Sequence, residues 1–362
     1  MSAGVDMARS DRVAAALAER ELDGLLVTAL FNVRWMTGFT GSNGLAVVSP
    51  GADGTRRFLT DFRYLSQADQ QLDDRWQRDI RTDLLVAAAE GLAPGRIGFD
   101  DAQLSVREFA RLEKAVPDGV ELVAAGGLVE ELRAIKDDAE LEKLRAAAKL
   151  ADEAFEEVVG AGIVGRTERD VALDLEVAMR RRGAEGASFA PIVAAGTHGA
   201  LPHASPRDVP IPPDTLVVID WGAMLDGYAS DCTRTVATGP LDPRDRAIYD
   251  TVLAAQEAAL AAVTAGPTGK EVDAVAREVI DAAGHAEHFG HGLGHGVGLE
   301  VHEGPRLSKQ GETPLAAGHV VTVEPGIYVP GAVGVRIEDL VVVTEDGHEV
   351  LSSLPKGLRT VA

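Results

Sequence analysis

Between Leu216 and Ile219 the chain sets four apolar, mostly β-branched residues in a row, then Asp220, Trp221 and Gly222. A short apolar run ended by turn residues predicts a buried strand. Asp226-Gly227 predicts a hairpin turn, and Tyr228 to Val236 the returning strand. A two-residue turn there pairs Leu225 with Tyr228 and Gly222 with Asp231. Asp220 and Asp231 then share a face one diagonal step apart, with a register slip as the error that would separate them. The construction repeats downstream. Val320 to Glu324 predicts a strand, the chain turns near Pro330-Gly331-Ala332, and Val335 to Val343 predicts another strand carrying Arg336 and Glu338. Glu324 and Glu338 are equidistant from Gly331, so a hairpin centred there sets them opposite each other. Arg336 and Glu338 share a face by the two-residue period.

Around these hairpins the apolar period changes to that of helices. Residues 10 to 21 predict an amphipathic helix leading into a strand at 24 to 28. Further strands are expected at Leu45 to Val48, Arg57 to Thr60 and Arg96 to Phe99, with a helix near Ser105 to Val116. Beyond Leu132 the pattern is helical at Lys136 to Val159, with many oppositely charged partners along it, and again at Glu168 to Arg182, closed by Gly183. Two more helices are expected at Pro243 to Thr264 and at Val272 to Ala283, closed by Gly284. The fold class is therefore α+β: a small mixed α/β N-terminal domain, 1–133, and a larger domain, 134–362, with the boundary near Arg133. In the larger domain each of two helix pairs precedes acid-bearing strands, which implies internal duplication, although no short sequence repeat is visible. A chain of 362 residues is long for a single core, which agrees with two domains.

A formal charge of −22 disfavours nucleic acid and anionic membranes as partners. A solvated acidic surface accounts for most of that excess, and bound divalent metals would neutralise part of it. Cys232 is the one cysteine, so no intrachain disulfide can form, as suits a reducing cytoplasm. It follows Asp231 and by strand alternation points the other way, as a small core residue. The N-terminus carries no basic region followed by an apolar core, and no apolar run reaches membrane-spanning length. A cytoplasmic protein is expected.

The acids decide the chemistry. Asp220, Asp231, Glu324 and Glu338 with His295 make a set of mostly hard oxygen ligands, which suits Mn²⁺, Co²⁺ or Zn²⁺ pairs better than a lone structural zinc. Five protein ligands are too many for one catalytic metal with an open position, and they suit two metals holding a water between them. Any one acid alone is more often a solvated strand or turn residue; two acidic hairpins inside apolar strands are much less often chance. The stretch from His288 to Glu303 holds His288, His291, His295 and His302 among many glycines. His291 and His295 have the spacing of the zinc-protease helix, but Gly292 stands where that helix needs glutamate, and the glycines argue against a helix. They suit a loop or strand that passes close to a ligand or takes unusual dihedrals. His295 is the expected ligand, His291 and His302 are candidates for proton transfer or oxyanion binding, and His288 is expected to be solvated. Arg336 beside the acids would offset their repulsion and orient them.

Asp220, Asp231, the His291-x3-His295-x6-His302 stretch, Glu324-Pro325-Gly326 and Arg336-Ile337-Glu338-Asp339 together resemble the pita-bread metallopeptidases, which include aminopeptidase P, prolidase, methionine aminopeptidase and the metal-free creatinase. The resemblance covers the C-terminal two thirds and implies a pita-bread catalytic domain with internal pseudo-symmetry. It implies that Asp231 and Glu338 bridge two metals, that Asp220 holds one, and that His295 with Glu324 holds the other. Pro202-His203 matches a further active-site histidine of the family, while His198 departs from the asparagine expected at its position. The N-terminal part resembles the small domain of aminopeptidase P, prolidase and creatinase through residues 35–44 and Thr60-Asp61-Phe62-Arg63-Tyr64. There Gly38, Gly41 and Gly44 suggest a tight loop of the kind that often reaches a neighbouring site.

The implied reaction is metal-assisted hydrolysis of the peptide bond before proline. Glu324 serves as proton acceptor as well as ligand, and His302 or His203 helps to stabilise the oxyanion. The first reading is an Xaa-Pro aminopeptidase of the aminopeptidase P kind, because the 37–42 and 60–64 segments look more like its N-terminal domain. The alternative is an Xaa-Pro dipeptidase (prolidase), which would need a cation for the proline carboxylate; Arg34 is the candidate, along with His203. A catalytically silent binding protein is the reading of another class, and such relatives usually lose ligands. Manganese is the first metal expected, with cobalt or zinc as alternatives. Short proline-containing peptides are the expected substrates, and the family implies a homodimer.

Overall fold

The computed structural model describes residues 8–51 and 54–361; residues 1–7, which bear on any leader peptide, lie outside them. The chain divides into two compact units, Met1–Arg133 and Ala134–Ala362.

The first unit runs α1 (Arg9–Glu19), β1 (Gly24–Val27), α2 (Leu30–Thr37), β2 (Gly44–Val48), β3 (Arg56–Thr60), α3 (Leu65–Gln71), β4 (Gln77–Ile80), α4 (Leu84–Glu90), β5 (Gly95–Phe99), α5 (Val106–Ala115), β6 (Val120–Ala124) and α6 (Leu128–Ala134). Its strands form one mixed sheet in the order β4-β3-β2-β1-β5-β6. The stretch read as a tight loop is partly helix. Val33, Trp35 and Met36 of α2 are buried, and Gly38, at φ 77°, ends the helix, so the loop covers only residues 39–43. The edge strands β4 and β6 escape the apolar pattern because they are mostly half-buried or exposed.

The second unit opens with α7 (Asp138–Gly160) and α8 (Glu168–Arg181), followed by β7 (Gly186–Ala187), β8 (Ile192–Ala195), β9 (Leu216–Trp221), β10 (Ala223–Leu225), β11 (Tyr228–Ala229) and β12 (Cys232–Ala237). Then come α9 (Pro243–Ala261), α10 (Gly269–Ala282), β13 (Gly294–Gly296), β14 (Glu303–Leu307), β15 (Val320–Val323), β16 (Gly326–Val329), β17 (Val333–Arg336), β18 (Asp339–Thr344) and β19 (Gly347–Val350). Reciprocal capping boxes start α7 (Asp137 with Glu140) and α10 (Thr268 with Glu271). Each helix pair has its own core. Leu150, Phe155, Val171 and Leu175 pack with Val217, Ile219 and Trp221, whereas Val252, Val272 and Ile280 pack with Val321, Val323 and Val341. That is the internal duplication in physical form. Cys232 belongs to the first of these cores.

The first acidic hairpin has the register that its turn dictates, with Leu225 opposite Tyr228 and Asp220 opposite Thr233. The second keeps the expected centre, with Gly326 opposite Arg336 and Val323 opposite Asp339, but not the expected continuity. Val335 to Val343 is two strands: β17 pairs only with β16, while β18 joins the sheet β14-β13-β15-β18-β19. The break falls at Ile337 and Glu338, where the Glu338 amide donates to Thr233 O (3.1 Å) across the unit. The glycines of the histidine stretch serve close backbone approach rather than unusual dihedrals. A Cβ on Gly294 would sit 2.0 Å from Thr322 O, and one on Gly296 2.0 Å from Gly304 O.

Candidate metal centre

Three of the four acids lie at or beside strand ends, where the backbone turns their side chains inward. Asp231 stands between β11 and β12, Glu324 directly follows β15, and Glu338 separates β17 from β18. Asp220 sits near the end of β9, which Trp221 fixes: its indole is fully buried, stacks on Phe155 (centroids 4.2 Å apart) and donates to Ala151 O (2.9 Å). Carboxylate oxygens of Asp220, Asp231 and Glu338 all lie within 4.8 Å of one another. His295 Nε2 is 3.4 Å from Glu324 Oε1 and 3.6 Å from Asp231 Oδ2. The five expected ligands thus converge on one place in the second unit.

The electrostatics are those of a cation site. Burial, then the charges of its acidic neighbours, push Asp231 and Glu338 well above the usual carboxylate range. Glu324 rises to about 7, chiefly through burial, although Arg336 opposes the shift. Burial raises Asp220 too, against the pull of Arg336. Among the described residues the buried Asp220 Oδ1 meets no hydrogen-bond donor. A cluster of hard oxygens, one of them without a partner, is chemically suited to divalent ions. Burial lowers His295 to about 3, so its ring is neutral, and Nδ1 donates to Gly296 O (3.1 Å). That bond fixes the tautomer that leaves the Nε2 lone pair free to hold a metal ion.

Neighbouring groups orient the acids. The Thr233 hydroxyl donates to Glu338 Oε2 (2.6 Å), and the Thr322 hydroxyl donates to Glu324 Oε1 (3.2 Å). Arg336 is fully enclosed by its partners. Nη2 pairs with Asp220 Oδ2 (2.6 Å), Nε donates to Thr233 Oγ1 (3.0 Å), and Nη1 donates to Tyr328 Oη (2.8 Å) and Pro202 O (3.1 Å). His291, lowered to about 4 mainly by burial, donates from Nδ1 to Gly292 O (2.7 Å) and accepts the Tyr328 hydroxyl at Nε2 (3.0 Å). Both of its nitrogens are engaged, so a proton would reach or leave His291 through Tyr328. His302 lies edge-on to His295, with ring centroids 4.3 Å apart. His288 is outside the cluster and hydrogen-bonds His285 (3.1 Å).

These side chains floor a pocket of about 720 Å³ that also contains His203 and His302. One wall is apolar, with Phe189, Pro191 and Pro206; another carries Arg306, Ser308 and Gln310. Arg306 escaped the sequence reading. It stands on β14 directly across from His295, and its guanidinium makes no hydrogen bond or ion pair among the described residues. The β-bulge between His295 and Gly296 displaces the register, which denies the sequence any simple count from the histidines to Arg306. Tyr328, Thr233 and Thr322 were missed as well, because a single hydroxyl on a strand looks like any other strand residue. His198 is not on the rim of the pocket; its Nδ1 faces Glu168 Oε2 at 2.9 Å.

Comparison with known proteins agrees with this geometry. The description "Metallopeptidase family M24" matches residues 142–345, and "Creatinase/Prolidase N-terminal domain" matches residues 9–135. The Xaa-Pro dipeptidase of Pyrococcus furiosus is 34% identical over 360 residues, covering 97% of this chain and 99% of that one. The solved structure of an Xaa-Pro dipeptidase from Bacillus anthracis is similar at a TM-score of 0.92 and 38% identity, covering 98% of this chain and 99% of that one. An X-Pro aminopeptidase from Thermotoga maritima gives 0.86 and 37%, covering 95% and 99%. Sharing the family pattern through its second unit, and the two-domain fold of proline-directed peptidases over nearly its whole length, the chain belongs to metallopeptidase family M24.

Proposed function

We propose that this chain is an Xaa-Pro dipeptidase that works with two divalent ions, manganese first, held by Asp220, Asp231, His295, Glu324 and Glu338. This reverses the order taken from the N-terminal segments, which put an aminopeptidase P ahead. The relatives from Pyrococcus furiosus and Bacillus anthracis carry the dipeptidase name, while the Thermotoga maritima aminopeptidase is nearly as similar, so likeness alone does not divide the two. The observation that carries the reading is Arg306, an exposed guanidinium on the pocket wall with no partner among the described residues. A dipeptide ends in a carboxylate one residue past the scissile bond, and a guanidinium binds a carboxylate through two parallel N–H bonds. Arg306 therefore takes the role first sought in Arg34, which lies on α2 of the first unit.

Divalent ions bound there supply a water of lowered pKa and a polarised scissile carbonyl. The protein does the rest. Arg306 anchors the proline carboxylate, and the wall of Phe189 and Pro191 excludes water beside the apolar part of the dipeptide. Glu324 receives the Thr322 hydroxyl on one oxygen and keeps the other for a proton taken from the nucleophile. It hands that proton to the proline nitrogen, which carries no hydrogen of its own and leaves only once protonated. His203 and His302 donate N–H to the developing oxyanion, an interaction worth about 2.7–4 kcal/mol for a single donor. Arg336, its donors spent on Asp220, Thr233, Tyr328 and Pro202, orients these groups rather than the substrate. A homodimer in the cytoplasm completes the proposal.

The test combines elemental analysis with an assay on Ala-Pro. The parent at saturating Mn²⁺ should carry two ions per chain and hydrolyse the dipeptide, and chelation should abolish turnover. Glu338→Ala should lose both the metal and the activity. One ion or none on the parent would refute the dinuclear reading.

A further inference from the structure

The wall of the pocket that carries His203 belongs to a segment whose two ends meet on one buried carboxylate. Glu168, in the first turn of α8, is 1% exposed. It receives the Ala195 amide on Oε1 (2.9 Å) and faces His198 Nδ1 at 2.9 Å from Oε2, both where the segment begins. It also receives the Arg207 amide on Oε2 (2.9 Å), Nε on Oε2 (3.0 Å) and Nη2 on Oε1 (2.8 Å), where the segment ends. The backbone repeats the closure, because the Glu168 amide donates to Val209 O (3.2 Å) and the Arg169 amide to Arg207 O (3.1 Å). Between the clasped ends lie Pro202 to Pro206, all of which line the pocket. Inside that stretch the anchors are few: Pro202 O accepts from Arg336, and Ala204 packs against Ile192 and Ala194. Leu201, just before them, is 56% exposed.

A carboxylate this enclosed is costly unless it is well paired. Here one acid takes side-chain bonds from both ends, so its removal loosens each of them at once while the backbone bonds to Arg207 and Val209 remain. No other side chain joins the two ends by hydrogen bonds or ion pairs among the described residues. Holding a reacting group within about 0.5 Å of its productive place is what such supporting bonds do in active sites. We propose that Glu168 is a positioning residue for His203, and that the Glu168–His198–Arg207 clasp holds the Pro202–Pro206 wall in the geometry that hydrolysis needs. The proposal rests on the reading of His203 as a donor to the substrate. It also gives His198 a place, as one arm of the clasp.

The experiment is a double-mutant cycle with a structural readout. Parent, Glu168→Ala, Glu168→Gln, His203→Ala and the Glu168→Ala/His203→Ala double variant are assayed on Ala-Pro with Mn²⁺. Metal content is measured on each, and amide hydrogen exchange on each metal-free chain. Glu168→Ala is expected to keep the parent's metal content, to lower kcat at least 30-fold with KM within threefold, and to speed exchange across residues 196–207 while β9 is unchanged. Glu168→Gln, which keeps the length and one accepting oxygen, should fall between parent and Ala. In the His203→Ala background, removal of Glu168 should cost less than threefold. Equal losses in both backgrounds, a kcat within threefold of the parent, or exchange raised evenly through the second unit would overturn the clasp. Should Glu168→Ala not accumulate as a folded chain, Arg207→Leu enters the same cycle under the same criteria. If the parent cleaves neither Ala-Pro nor Ala-Pro-Ala, the activity reading falls alone, and exchange across 196–207 still decides the clasp.

Discussion

Thr233 stands opposite Asp220 on β12 yet serves Glu338 and Arg336, so one hydroxyl ties the two acidic hairpins together. Thr322 links the histidine stretch to the second hairpin, accepting the His295 amide (3.1 Å) and donating to Glu324. Supporting bonds of this kind fix where a ligand oxygen points, and their loss commonly costs 10–100-fold in metal affinity. A different residue sets part of the acid sensitivity. His319 is 5% exposed, its Nδ1 accepts the Ala316 amide (3.0 Å), and burial, with Lys136 adding to it, lowers it to about 4. The unfolded chain protonates this imidazole near 6.5, so acid favours unfolding. The stability that the neutral ring secures is complete above pH 6.5 and is lost as pH falls toward 4, on the order of 3 kcal/mol. Metal-free His319→Asn should therefore lose less stability than the parent between pH 7.5 and 4.5 in thermal melts. Parallel loss in the two would contradict this assignment.

Elements matter here through what they fix at their ends. β9 delivers Asp220, and Trp221 anchors β9 to α7 by stacking on Phe155 and donating to Ala151 O. Trp221→Ala should cost about 3–5 kcal/mol of stability. It should also weaken metal binding, since Asp220 then sits on a strand without its anchor. Denaturant unfolding and metal titration check both, and unchanged metal affinity would show that β9 holds Asp220 by its ladder alone. The acidic hairpins were legible in the sequence because a turn dipeptide between consecutive strands fixes their register by counting. The break at Ile337-Glu338 was not, since the apolar run passes through it unchanged and only pairing partners separate β17 from β18. Nor was α2, whose eight residues include Asn32 and Arg34 and give too little period to see. All five expected ligands meet in one place, whereas Arg306 and Glu168 are set by partners distant in sequence that no local pattern announces.

At the scale of the whole molecule, buried acids among the described residues gather at the candidate metal centre, in pairs such as Arg234 with Asp339 (2.8 Å), and on hydrogen-bond donors, as Asp100 on the Thr28 and Ala29 amides and Asp152 on Ser353. Among the described residues no helix is long and apolar enough to cross a membrane. The second unit contains every residue that lines the main pocket, from Phe189 to Glu338. In the dipeptidase reading proposed above, the Arg306 guanidinium on that pocket's wall sets substrate length by pairing with the proline carboxylate. A charged hydrogen-bonded pair of this type is worth about 1.5–3 kcal/mol, or roughly 10–150-fold in selectivity. The most direct measurement is the ratio of kcat/KM on Ala-Pro to that on Ala-Pro-Ala, for the parent and for Arg306→Leu, both loaded with Mn²⁺. A ratio of roughly 100 is expected for the parent, collapsing toward 1 in Arg306→Leu at unchanged metal content. A parent that cleaves Ala-Pro-Ala as fast as Ala-Pro, with Arg306→Leu no different, would contradict it and return the chain to the aminopeptidases.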